Sequence, residues 1–173
     1  LLSSNLHFVE GDITVPSGDT LVIQAGTLIK FLGNYTFTAN GPVIAEGSEE
    51  NHIVFTSGKP AVLEGDWKRI VLDNAPGSVF RYCDFSLAEN GIYLTNSDST
   101  EISHCTFENF LDGAYAIYDE GNGNNQNLII NYNEVGSGIS RGFSFYNTHN
   151  SQFIGNDIEA TDWGIYCYNC DST

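Results

Sequence analysis

The sequence predicts an all-β solenoid of stacked parallel coils. Three observations predict it: a six-residue row that recurs with Cys or Asn in its fourth place, a second apolar row that follows it at a nearly constant offset, and a composition without methionine but rich in Gly, Asn and aromatic residues. The first row reads FRYCDF (80–85), ISHCTF (102–107), INYNEV (130–135) and FIGNDI (153–158), and its Cys/Asn places, 83, 105, 133 and 156, lie 22, 28 and 23 residues apart. The second row reads GIYLTN (91–96), GAYAIY (113–118), GFSFYN (142–147) and GIYCYN (164–169), with starts 22, 29 and 22 residues apart. Both rows stretch in the same interval, so the polar segment DEGNGNNQN (119–127) is expected to be a loop inserted at one corner.

Alternation within the rows sends Phe80, Ile102, Ile130 and Phe153 inward, then Phe85, Phe107, Val135 and Ile158, with Ile92, Ala114, Phe143 and Ile165 as a third inward column. Each coil buries its apolar side chains on its neighbours. Asn133, Asn156, Asn96, Asn147 and Asn169 fall where a strand must bend, and a short amide there satisfies backbone groups and bonds from coil to coil. Before residue 75 the same architecture continues less regularly, with short strands expected at 12–15, 20–24, 27–32, 35–39, 42–45, 52–56 and 69–72. The chain reads as one domain over 1–173, with irregular opening coils at 1–75 and regular coils at 78–173.

The net charge of −16 is spread along the chain, which disfavours nucleic acid and anionic membranes as partners and favours cations. No apolar run is long enough to insert in a membrane as a helix, and the first residues lack a signal-peptide pattern. The start at Leu1-Leu2 without Met reads as a processed product or part of something longer.

The runs ITVPSGDTLVIQAGTLIKF (13–31), GPVIAEGSEENHIVFTS (41–57) and GDWKRIVL (65–72), with the coils from Ser78 onward, resemble the right-handed parallel β-helix repeat proteins of the pectate-lyase-like superfamily. The resemblance implies a single-stranded right-handed parallel β-helix of roughly seven coils. It implies a secreted or cell-surface protein, and activities ranging from polysaccharide lyases and hydrolases to adhesins and structural surface proteins. The Asp-Asp and Gly-His-Gly stretches of the hydrolase members are absent, and besides Arg81 the regular coils hold one basic residue, Arg141. The expectation is therefore a non-catalytic structural or surface module, with a carbohydrate-binding or polysaccharide-degrading module as the alternative.

Several residues are candidates for chemistry. Glu134 and Asp157 line up one coil apart on the outer side, the spacing of a calcium-binding pair or of a retaining glycosidase's acids, or else two solvated carboxylates; calcium is the cofactor such a pair would hold. Outer aromatic columns, Tyr82, His104 and Tyr132 in one, Tyr93, Tyr115 and Tyr166 in another interrupted at Ser144, offer strips that stack on sugar rings or shield the backbone. Cys83 and Cys105 fall one coil apart, as a disulfide or a ladder of free thiols; Cys167 faces inward and Cys170 lies in the following turn. Asn34-Tyr35-Thr36 matches an N-glycosylation acceptor. The last residues, CDST (170–173), align with SDST (97–100), so the chain reads as stopping in mid-repeat. The expected partners are further coils, a second copy of the chain meeting it end to end or side to side, or surface polysaccharide.

Overall fold

The computed structural model describes residues 2, 5–119 and 125–171, and the described chain is a parallel β-solenoid without helix. Its first coil is β1 (Leu6–Val9), β2 (Ile13–Val15) and β3 (Leu21–Gln24); its second is β4 (Leu28–Phe31), β5 (Thr36–Ala39) and β6 (Val43–Glu46). Then follow β7 (Ile53–Ser57), β8 (Arg69–Asp73) and β9 (Val79–Arg81), and β10 (Cys83–Ser86), β11 (Ile92–Thr95) and β12 (Glu101–Ser103). The fifth coil is β13 (Thr106–Glu108), β14 (Tyr115–Asp119) and β15 (Ile129–Asn131), the sixth β16 (Glu134–Val135), β17 (Arg141–Tyr146) and β18 (Gln152–Ile154), and the last holds β19 (Asp157–Ile158) and β20 (Trp163–Tyr168). Every third strand pairs, giving a first sheet β1-β4-β7-β10-β13-β16-β19, a second β2-β5-β8-β11-β14-β17-β20 and a third β3-β6-β9-β12-β15-β18.

Each of the first six coils therefore has three strands where the repeat suggested two. The six-residue row breaks at its third place: Tyr82, His104 and Tyr132 take φ of 50°, 52° and 55°, and the chain turns there from the third sheet into the first. Asn96, Asn147 and Asn169, with φ of 46°, 52° and 53°, turn it from the second sheet towards the third. Asn is among the few residues that tolerate this left-handed conformation, so these positions follow from backbone geometry.

Two of the three expected inward columns are in register, Phe80-Ile102-Ile130-Phe153 and Phe85-Phe107-Val135-Ile158. The third runs Ile92-Ile117-Phe143-Ile165, with Ile117 in place of Ala114. The corner before β14 is longer, through Asp112, Gly113 and Ala114, and is held there by the Gly113 N–H on the Ser140 hydroxyl, which itself donates to Asp112. Ala114 is buried in that corner, outside the column. Asp119, expected to open the inserted loop, ends β14 and is buried, accepting the Thr148 hydroxyl at 2.8 Å; residues 120–124 of that loop lie outside the described residues. β1 was not expected, and it pairs in register with β4 from Leu6↔Leu28 to Val9↔Phe31.

The corner between β7 and β8 is pinned by the buried Asp66. Its carboxylate accepts the Ser57 hydroxyl at 2.7 Å, the Lys59 ammonium at 2.9 Å and the Leu63 N–H at 3.0 Å. Burial alone would raise its pKa, but these hydrogen bonds and the Lys59 charge outweigh it and hold the carboxyl below its usual range. A depressed folded-state pKa contributes stability that is full above the unfolded carboxylate value, about 3.9, and is lost as pH falls through the folded value. In a Trp163→Phe background, emission from the adjacent buried Trp67 is expected to shift to the red on acidification below about pH 4. Asp66→Asn is expected to flatten that step, and an unchanged step in Asp66→Asn would refute this assignment.

Candidate functional site: an aromatic face on the second sheet

Outward positions of the second sheet change character along the solenoid. The central outer column runs Thr14, Thr38, Val71, Tyr93, Tyr118, Ser144 and Tyr166. To one side Tyr115, Arg141 and Trp163 align; to the other, Tyr146 aligns with Tyr168. Seven rings thus form one patch, with centroid separations of 4.9 Å for Tyr93–Tyr118, 4.7 Å for Tyr115–Tyr118, 6.4 Å for Tyr118–Tyr146, 5.5 Å for Tyr146–Tyr166, 6.2 Å for Tyr146–Tyr168 and 6.0 Å for Trp163–Tyr166. Arg69 lies over Tyr93 at 4.6 Å, and Arg141 lies against both Tyr115 at 4.9 Å and Trp163 at 5.2 Å.

The sequence placed Tyr93, Tyr115 and Tyr166 in one column; register puts Tyr118 there and moves Tyr115 one column over, opposite Arg141. Tyr118, Tyr146, Trp163 and Tyr168 were missed. Their signal was partial: in RGFSFY and WGIYCY, Tyr146, Tyr166 and Tyr168 fall on the side opposite the inward Phe143 and Ile165, whereas Arg141 and Trp163, two places before those inward residues, depart from the alternation.

The other predicted column, Tyr82-His104-Tyr132, is a separate stack on the corner between the third and first sheets. Its rings lie 4.7 and 5.2 Å apart within 20° of parallel, and His52 continues it at 5.7 Å from Tyr82 while pairing with Asp84 at 2.9 Å. Gly155 takes the next place, where a Cβ would fall 2.5 Å from the Tyr132 ring.

Just inside that corner runs the ladder. Asn133 donates to the Ile102 carbonyl and to Asn156 Oδ1, and its own Oδ1 accepts the Cys105 N–H; Asn156 donates to the Ile130 carbonyl. Cys83 and Cys105 sit in the same column and turn their thiols to the equivalent carbonyls, of Ala45 at 3.5 Å and Phe80 at 3.4 Å. In the structure Cys83, Cys105, Cys167 and Cys170 are unbridged, and the buried thiols of Cys83 and Cys105 serve as donors to the coil beneath. Cys170 does likewise towards the Phe145 carbonyl, and Cys167, though on the inward alternation, is exposed in the last coil. Partial desolvation of its sulfur and the neighbouring Cys170 push its thiol up to about 11. Asn169 donates to Asn147 at 2.8 Å, a second amide step. Asn96 marks the same bend.

A family model described as a right handed beta helix region matches residues 3–158. The chain belongs to the right-handed β-helix family. Neither the curated proteins nor the solved structures contain a significant match to it.

Within this β-helix the acids stay dispersed. Glu134 and Asp157 are register neighbours on the outside of the first sheet, both exposed. Among the described residues no three His, Cys, Asp or Glu side chains converge to hold a metal ion, whereas calcium takes 6–8 oxygen ligands. Arg81, one of the two basic residues of the regular coils, grips Glu101 with two bonds of 2.9 and 2.7 Å and Glu46 with a third of 2.7 Å. The Glu101 hydrogen bond is the chief cause that raises the Arg81 pKa further, so its guanidinium is poorly suited to remove a proton.

Proposed function

We propose that the chain is a non-catalytic β-helix module of a secreted or cell-surface protein, of the kind that serves in surface layers, sheaths, fibres or adhesins. Its second-sheet aromatic face is where it holds polysaccharide. The observation that supports this is the seven-ring patch, gathered on one outer face of a rod whose net charge is −16. Sugar rings offer flat apolar faces that stack on aromatic side chains, while Tyr hydroxyls and Arg N–H groups bond the sugar hydroxyls. Shielding of the backbone alone needs no such lateral spread, because the corner stack of Tyr82, His104 and Tyr132 achieves it with single rings.

Affinity electrophoresis through gels carrying neutral or acidic polysaccharides tests the reading. The wild-type chain is expected to be retarded, and a Tyr118→Ala/Tyr146→Ala variant to run unretarded with its circular dichroism unchanged. A folded wild-type chain that no polysaccharide retards would sink the proposal and leave a purely structural rod. End-to-end joining of copies has its own measurement, electron microscopy of native material, with filaments for it and discrete rods against it.

A further inference from the structure

Resting on that carbohydrate reading, we infer that the ligand is an extended, uncharged glycan laid along the solenoid axis, one sugar to each coil across the last four coils. The path is set by single rings: Tyr93 on β11, Tyr118 on β14, Tyr146 on β17 and Tyr166 on β20, at successive centroid separations of 4.9, 6.4 and 5.5 Å. Where the central column is broken by the buried Ser144, Tyr146 from the neighbouring column supplies the ring, so each of the four coils contributes at least one. Parallel coils repeat at about 4.8 Å, comparable to the rise per sugar of an extended β-linked glycan. A coiled or branched chain does not keep that step.

The charges disfavour a polyanion. Arg141, one of the two guanidiniums of the face, donates to the Gly113 carbonyl at 2.9 Å and sits 3.7 Å from Asp162, and both guanidiniums lie against rings. Asp73 borders one edge of the face and Asp162 the other, within a chain of net charge −16. Carboxylates on every sugar would meet this field with only Arg69 and Arg141 on the face to offset it.

Calorimetric titration with cello-oligosaccharides of two to six units, with dextran fragments of equal size and with oligogalacturonates tests the inference. Affinity for the cello-oligosaccharides is expected to rise with each unit up to four and then level off, and to exceed that for the other two series about tenfold. Tyr118→Ala or Tyr146→Ala is expected to weaken binding about two- to tenfold, while Tyr118→Phe, which keeps the ring, is expected to bind like wild type. Affinity that ignores length, or oligogalacturonates that bind as tightly, overturns the axial neutral-glycan inference while leaving the carbohydrate reading standing. Failure of all three series to bind overturns both.

Discussion

Phe85→Ala is expected to lower the unfolding free energy by about 3–5 kcal/mol. Phe85 is fully buried in the middle of a ring column, stacked on Phe55 and on Phe107 at 5.0 Å each, with Phe80 at 6.0 Å across the core. Strand pairing fixes the backbones of β7, β10 and β13 in register, so the neighbouring rings cannot move in to fill the space, and the cavity term adds to the lost transfer term. Phe85→Leu, which refills most of the volume, is expected to recover more than half of the loss. Urea unfolding monitored by far-ultraviolet circular dichroism measures both; a Phe85→Ala loss under about 1 kcal/mol would mean that the column is not packed as described.

The second large effect is expected from Asn133→Leu, a loss of about 2–4 kcal/mol. The amide is buried and serves three groups, the Cys105 N–H, the Ile102 carbonyl and Asn156 Oδ1, and a leucine leaves the first two without partners in a place water does not reach. Asn133→Cys is expected to lose less, because Cys83 and Cys105 show how a thiol in this column reaches the carbonyl beneath it. If Asn133→Leu and Asn133→Cys melt together, the carbonyl bond contributes nothing measurable.

The fold was legible because burial in a parallel solenoid writes the same inward residues into every coil. Phe80, Ile102, Ile130 and Phe153 could be aligned without any knowledge of the turns between them. The bend inside each row was marked but not read. Phe80, Cys83 and Phe85 all point inward, which leaves Arg81 and Tyr82 as two successive outward residues, and that break in alternation is where Tyr82 divides two sheets. The register of β14 was misread for a related reason: GAYAIY begins with Gly as its neighbours do, yet Gly113, with φ of 82°, belongs to the longer corner, and Ala116 stands where Gly91 and Gly142 stand. Matching Ile117 to Ile92 in place of Ala114 would have recovered the register. The site was half legible. Aligned columns reveal rings that repeat at one place, as Tyr93 and Tyr166 do, but not a patch assembled across columns, where Tyr146 stands in for Ser144.

The most direct measurement of the central claim is nuclear magnetic resonance mapping of the folded chain titrated with a neutral hexasaccharide of extended shape. Shift changes are predicted for the outward residues of β11, β14, β17 and β20, centred on Tyr118 and Tyr146. Changes confined to the Tyr82, His104 and Tyr132 corner, or no changes at saturating sugar, would contradict a glycan-holding face on the second sheet.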